Sequence, residues 1–456
     1  MTARTRLAAS AALAAFALTA ASCSTKLSTR SAPTTTVAPT TTVVGGSTPA
    51  QTKAADYRAQ VTYLLLEQIF LLSRVTGGVV AARSSAPLSS SAAPSAASTA
   101  TTTTAAPAAT ATTTTTTTAA GPVAALGAPN DADAATALDH NSTDLTDLLS
   151  QPQGYGASFA ADFYPLWTTR NNSFVRYAEA KATRNAAGAS SASAALAANA
   201  ISLAQLFHSH NQYLAVTTVS NPGTGVADEL TVDNTAVVAF INSQAANTPT
   251  AINDVVAAAE KMRHTSDVLS SAAAKLDPAQ FPGTALGTAS NLRAAVTAAL
   301  VEHAELAGST TALLGTGQTA APESAALDAN TASLGNVVIV NFFDQATRVF
   351  NAIWSNYVNL LRSYARAKSS GGPTPNLSGV GQQVGGFFGH QAPTINPSLI
   401  ASDMQQVVDG LVAVADAQAA SGPWATPLRV ATGFTPKLAS DLSEGIAEAY
   451  PTQYAP

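Results

Sequence analysis

Two stretches of the sequence, YPLWTTRNNSFVRYAEAKA at residues 164–182 and NAIWSNYVNLLRSYARAKS at residues 351–369, share one pattern. In the first, aromatic and apolar side chains recur at spacings of three, four and seven residues, which places them on one face of a helix. The sequence therefore predicts one long helix that is present twice, with Trp167 and Trp354 buried at equivalent positions. A constant offset of 187 residues pairs identical side chains, namely Phe163 with Phe350, Trp167 with Trp354, Asn172 with Asn359, Tyr177 with Tyr364 and Lys181 with Lys368.

Further matches occur upstream in the same order. ALDHNSTDL at residues 137–145 matches ALDANTASL at residues 326–334, and RAQVTYLLLEQ at residues 58–68 matches RAAVTAALVEH at residues 293–303. A weaker match joins the surroundings of His210 and His390. No series of strands with alternating polarity is present. We predict an all-α protein with two tandem copies of a roughly four-helix bundle, at residues 54–280 and 281–456.

The N-terminus has the features of an export signal. Arg4 and Arg6 precede an apolar run at residues 7–18, which is too short to cross a bilayer. Small residues in LTAASCST then lead to Cys23, the only cysteine in the chain, in a sequence that resembles the lipobox of bacterial lipoproteins. We predict a signal peptide at residues 1–22 and a lipid on Cys23 that holds the mature protein at the outer face of the cytoplasmic membrane. No later segment is expected to span a membrane.

Two segments have the composition of disordered chain. Residues 23–53 are rich in Thr, Pro and Ala and carry few charges, which predicts a disordered tether after the anchor. Residues 84–122 are rich in Ala, Ser and Thr and contain no charged residue. Because the second copy has no counterpart to them, we predict that residues 84–122 are a disordered insertion in the first.

Few residues could form a chemical site. The second copy offers four candidate ligands for a divalent metal inside the bundle: Glu302, His303, Glu305 and His390. The first copy has Glu67, Gln68 and His210 at the matching positions, and Gln is a poor ligand for a transition metal. Adjacent residues on a helix diverge by about 100°, so Glu302 and His303 cannot both point at one ion. We predict no metal or other cofactor, with Glu302, His303 and His390 as the remaining candidates.

Three other features have structural interpretations. Arg170 lies on the apolar face, where it either pairs with a carboxylate such as Glu67 or extends to solvent at the bundle edge. Asn141, in the motif NST, is predicted to cap a helix. The stretch GVGQQVGG at residues 379–386 lacks the lysine of a phosphate loop and predicts a flexible start of a helix. Since the Gly-x-Ser-x-Gly motif of a serine nucleophile is also missing, we predict that the protein is not an enzyme.

The order of LLLEQIFLLSR at residues 64–74, an Asn-containing helix and a long aromatic helix resembles a loose group of exported helical-bundle lipoproteins of Gram-positive bacteria. The first helix of those proteins often carries Glu-His, then an aromatic residue and Thr-Arg. Here Glu67, Ser73 and Arg74 fit the pattern without the His, whereas the second copy has Glu302 and His303 without the Arg. The resemblance implies export and a helical fold and brings no activity with it. The abundance of Ala and Thr suggests an actinobacterial source.

Charge and composition restrict the function further. The net charge of −5 and the absence of a basic stripe argue against nucleic acid as a partner. We predict a lipid-anchored protein of the cell envelope that binds or scaffolds an envelope partner without catalysis. Two alternatives stay open. One is a metal-binding bundle, ferritin-like and with a redox or storage role, whose site lies in the second copy. The other is a carrier that holds a small apolar ligand between the bundles.

Overall fold

The computed structural model describes residues 49–85, 129–151, 154–216, 225–339, 342 and 344–454. Within these residues the protein is all-α, as predicted, and has no strand. The N-terminal half contains α1 (Lys53–Ser85), α2 (Pro129–Ser150), α3 (Ala157–Ala182), α4 (Ala186–His210), α5 (Val226–Ala245) and α6 (Ala251–Leu276). The C-terminal half contains α7 (Thr288–Gly315), α8 (Ala321–Ile339), α9 (Asp344–Ser370), α10 (Val380–Gln391), α11 (Pro397–Ala419), α12 (Ala425–Gly433) and α13 (Thr435–Ala449).

Several features predicted for the N-terminal third lie in parts of the chain that the structure does not describe. The signal peptide, Cys23, most of the tether and most of the insertion lie outside the described residues. The predicted tether ends a few residues too late, and the predicted insertion begins two residues too early. Pro49–Gln51 form a 3-10 turn with Ala50 buried against Ala289 and Ala447, and α1 continues to Ser85. The packed body therefore begins before residue 53.

The helices of the two halves pack in the same pattern. The first helix of each half contacts four corresponding helices of that half: α1 packs against α2, α3, α5 and α6, and α7 packs against α8, α9, α11 and α13, and also against α12. The fourth helices differ in their main partner, because α4 packs mainly against α3 whereas α10 packs mainly against α11. Each half thus has six helices in corresponding order, and α12 is the additional one. This correspondence supports the predicted duplication and extends it to α5 and α6, for which the sequence showed no match.

The aromatic residues that led to the repeat have the same geometry in both halves. Phe163 and Trp167 stack with ring centroids 5.2 Å apart and planes at 26°, and Phe350 and Trp354 stack at 5.2 Å and 25°. Both tryptophans are 2% exposed, so their predicted burial is confirmed. Spacing on the helix puts the two rings one turn apart on the buried face, where they fill the centre of each bundle.

The two halves form one compact unit, Ser47–Pro456, built around α1 and α7. At the offset of 235 residues that aligns these helices, Arg58 is equivalent to Arg293, and Asp56 to Asn291. Arg58 donates to Asn291 (2.6 Å), and Arg293 pairs with Asp56. Such a reciprocal exchange between equivalent positions is the mark of a two-fold interface. The halves are therefore related by an approximate two-fold axis, with α1 and α7 parallel.

One helix meets the length and composition of a membrane span, contrary to the expectation that none would after Cys23. Among the described residues this is the segment Lys53–Arg83 of α1, with a mean hydropathy of 1.5. Of the most apolar 18-residue stretch of this helix, 72% is buried inside the protein. Contacts with α2, α3, α5, α6 and α7 account for its hydrophobic character, because a central helix is apolar nearly all round.

The glycines of residues 379–386 allow close packing of α10 against α11. Gly379 precedes α10 as predicted for a helix start. Gly381 and Gly385 instead face α11, where an added Cβ would lie 2.1 Å from the Ala401 carbonyl oxygen and 2.2 Å from that of Pro397. A spacing of four residues puts both glycines on one side of the helix. The prediction of flexibility was therefore incomplete, because two of the glycines serve a helix contact.

Candidate functional site

A buried asparagine joins the second helix to the first in each half. The side-chain amide of Asn141 in α2 donates hydrogen bonds to a carbonyl oxygen of α1 (3.0 Å) and to Glu67 (2.8 Å). Asn330 of α8 does the same at the equivalent positions of α7, donating to a carbonyl oxygen (3.2 Å) and to Glu302 (3.0 Å). Asn141 lies in the middle of α2, so its predicted role as a helix cap was wrong. The Glu–Asn pair is a repeated contact between helices.

In the N-terminal half this pair is covered by α12. Glu67 is fully buried, and it accepts hydrogen bonds from Arg429 (3.3 Å) and Thr432 (3.0 Å) of α12. Arg429 also bonds Asp144 of α2 (2.6 Å). Burial alone would lower the pKa of Arg429, but attraction to Glu67 raises it overall. The resulting network compensates a buried charge and ties the C-terminal half to α1 and α2.

In the C-terminal half, the equivalent pair of Glu302 and Asn330 lies beside a buried histidine. His303 Nδ1 lies 3.1 Å from Asn330 Oδ1 and 3.3 Å from Trp354 Nε1. In one tautomer Nδ1 donates to Asn330, and in the other it accepts from Trp354. Burial lowers the pKa of His303 to about 4, so the ring is neutral at pH 7. In either tautomer the imidazole holds α7 to its neighbours.

The predicted metal candidates are not brought together. Glu302 and His303 both contact Asn330, whereas His390 is exposed at the end of α10. Across the described ranges, no group of three or more His, Cys, Asp or Glu side chains has an arrangement that could hold a metal ion. Glu305, the fourth candidate, is paired with an arginine of α1 instead. The described residues therefore offer no ligand set for the metal-binding alternative.

That arginine, Arg74, forms a second buried ion pair between the halves. Its guanidinium bonds the carboxylate of Glu305 and lies 5.0 Å from the ring centroid of Trp424, just before α12. Burial raises the pKa of Glu305 to about 7, although Arg74 opposes the shift. Glu67 and Arg74 are the two charged residues in the apolar stretch 59–82 of α1, a signal that each has a buried partner. The identity of the partner of Arg74, 231 residues away, had no sequence signal.

Arg170 does not pair with Glu67, and it does not reach solvent. Its side chain is fully buried, stacks at 4.9 Å on the ring of Trp167 and donates to Asn234 (2.8 Å). Burial lowers the pKa of Arg170 to about 10, an effect that the nearby Asp233 partly offsets. The expected extension to solvent was wrong, and the carboxylate that attracts Arg170 is Asp233 and not Glu67. No sequence pattern indicated that α5, which supplies Asn234 and Asp233, is a neighbour of α3.

An open groove lies between α9 and α10 of the C-terminal half. Its volume is about 530 Å³, within the range of small-molecule sites. Apolar side chains of α9 form one wall, and the rim is polar. The lining residues are Ala346, Val349, Ile353, Gln383, Phe387, His390 and Gln391. His390 is the one metal candidate that lines this groove, and its neighbours there are amides and hydrocarbon groups.

Comparison of the chain with protein-family models, curated proteins and solved structures gave no match. The groove was not predicted from the sequence. The signal that could have revealed it is a difference between aligned positions of the repeat, where Ala346 stands in place of Phe159.

Proposed function

We propose that the protein is a lipid-anchored component of the cell envelope whose helical body binds a ligand without catalysis. The anchor is supported by the charged and apolar leader, by the small residues before Cys23 and by the Thr- and Pro-rich segment that follows. The body begins after that segment, at residue 49. A tether of this composition would hold the body clear of the membrane surface.

A binding role is supported by the groove between α9 and α10. It is concave, has an apolar wall with a few polar groups at its rim, and has the volume of a small-molecule site. Grooves of similar volume elsewhere on the body have more polar linings, so the apolar wall, and not the volume, favours the ligand-carrier alternative over a scaffold. The groove lies within the C-terminal half, whereas the ligand was expected between the two bundles. Glu67, His303 and Glu305, the polar groups best suited to chemistry, are instead engaged in bonds between helices.

Substitution of the cysteine tests the anchor. The full chain should partition into the membrane fraction, with a mature N-terminus at Cys23 whose mass includes the lipid. Cys23→Ala should shift the protein to the soluble fraction or stop its processing, because no thiol remains for the lipid. Ser22→Ala is the matched control and should stay membrane-bound, since it keeps a small residue before the cysteine. A wild-type chain recovered soluble with a free thiol would contradict the proposal.

A further inference from the structure

A single atom of the C-terminal half lies between two buried polar groups. His303 Nδ1 is 3.3 Å from Trp354 Nε1 and 3.1 Å from Asn330 Oδ1. The indole nitrogen is a donor and the amide oxygen is an acceptor, so an atom at this point must accept one hydrogen bond and donate another to satisfy both. In either tautomer, Nδ1 can do only one of the two. The oxygen of a water molecule can do both.

The same two polar groups are present in the N-terminal half, where Gln68 stands at the position of the histidine. Trp167 has the orientation of Trp354, because each indole stacks on the phenylalanine one turn earlier at 5.2 Å, with planes at 26° and 25°. Asn141 has the orientation of Asn330, because each amide nitrogen donates to the equivalent carbonyl oxygen and glutamate of the first helix. The indole nitrogen and the amide oxygen of the N-terminal half should therefore face one point, as their counterparts do.

Three buried atoms at this place have no partner within the described part of the chain. Trp167 Nε1, Asn141 Oδ1 and Gln68 Oε1 form no hydrogen bond with any described residue. The other end of the Gln68 amide is held, because its nitrogen donates to Asn171 Oδ1 (2.7 Å). The C-terminal half has Val358 in place of Asn171, so this amide contact belongs to the N-terminal half alone. Buried polar atoms are rarely left unpaired, and an ordered water often supplies the missing bonds.

We propose that the N-terminal half binds a structural water molecule at the point that corresponds to His303 Nδ1. The water accepts a hydrogen bond from Trp167 Nε1 and donates to Asn141 Oδ1 and Gln68 Oε1. Three hydrogen bonds are typical of a buried water. Ions do not fit, because a cation cannot accept from the indole and an anion cannot donate to the two amides. The water thereby joins α1, α2 and α3, and the site is independent of the groove and the anchor.

A crystal structure of the full chain, at a resolution that shows ordered waters, tests the geometry of the site. One oxygen should lie within about 3.2 Å of each of the three atoms, Trp167 Nε1, Asn141 Oδ1 and Gln68 Oε1. The corresponding point of the C-terminal half should hold the imidazole of His303. A direct hydrogen bond between Gln68 and Trp167, or no ordered oxygen at that point, would overturn the proposal.

The indole proton of Trp167 reports the same water in solution. In the full chain with isotopically labelled tryptophan, this proton should show an NOE to the water resonance, whereas that of Trp354, which faces His303, should show none. Gln68→His should abolish the Trp167 signal, because an imidazole nitrogen then takes the place of the water. If that variant does not fold, the contrast between the two indoles of the wild type decides. Equal signals at both tryptophans, or a Trp167 signal that persists in folded Gln68→His, would overturn the assignment.

Discussion

At the scale of single residues, one carboxylate has different surroundings in the two halves. Glu67 and Glu302 accept from equivalent asparagines, yet only Glu67 is covered by α12 and Arg429. The sequence predicted which residues are equivalent, because identical side chains recur at fixed offsets. It could not predict what they contact. Partners such as Arg429 are hundreds of residues away, and no local pattern encodes such a pairing.

The two asparagines provide a matched pair of substitutions. Asn141→Ala should lower the free energy of unfolding by roughly 1–3 kcal/mol, because it removes a donor from a carboxylate that water cannot reach. Asn330→Ala should cost less, since Glu302 is partly exposed and can bond to water instead. Denaturant unfolding monitored by circular dichroism measures both. A larger loss for Asn330→Ala would contradict the assigned burial.

Because of the Arg74–Glu305 pair, the free energy of unfolding should decrease as the pH rises. Burial raises the pKa of Glu305 from 4.5 to about 7, so the folded protein keeps a proton that the unfolded chain has lost. The contribution of this group is therefore complete below pH 4.5 and declines as the pH rises toward 7. Relative to Glu305→Gln, the wild type should lose up to about 3 kcal/mol over that window.

Urea unfolding of both proteins at several pH values measures this difference. Titration of His303 and Asp233 affects both proteins alike and cancels in the comparison. A wild type that gains stability over Glu305→Gln as the pH rises would show that Arg74 keeps the carboxylate ionised.

At the scale of helices, the halves differ by one added and one shortened element. The additional α12 covers Glu67, and α10 has 12 residues where α4 has 25. The long aromatic helices were predictable from their periodicity and their repeated tryptophans. The equivalence of α5 with α11 and of α6 with α13 was not, because α12 changes the offset and few identical side chains remain.

Alanine substitutions at two neighbouring glycines of α10 distinguish the effect of packing on stability from the effect of helix propensity. Gly385→Ala should destabilise the protein by about 1–3 kcal/mol, because its Cβ would lie 2.2 Å from the Pro397 carbonyl oxygen and force α10 away from α11. Gly386→Ala is the control. Its Cβ would meet no described atom within 4 Å, so alanine should add up to about 1 kcal/mol through helix propensity. Thermal melting measures both, and equal effects would contradict the close contact.

At the scale of the whole molecule, α1 connects the two low-complexity segments. Its N-terminus follows the tether and its C-terminus precedes the insertion, at the ends of a helix of 33 residues that is about 50 Å long. With α7 it forms the approximate two-fold interface that joins the halves. The sequence predicted two copies, but not their mutual packing, because side chains at such an interface look like those of any buried helix face.

Removal of the insertion should leave the body intact. Deletion of residues 86–122 joins α1 to α2 through a short loop, which these adjacent helices can accommodate. Shortening the loop should raise the free energy of unfolding by about 1–2 kcal/mol, since less entropy is lost on closing it. Chemical unfolding of the deleted and full chains gives the comparison. A loss of more than about 2 kcal/mol would show that the segment contributes packing.

The two halves are copies of one bundle, joined by an approximate two-fold axis between α1 and α7. A crystal structure of the full chain would check this relation. We expect α1, α2 and α3 to superpose on α7, α8 and α9, with the Phe163–Trp167 stack on Phe350–Trp354 and the Glu67–Asn141 bond on Glu302–Asn330. Halves that do not superpose, or tryptophans that lie at different places in the two bundles, would contradict the duplication.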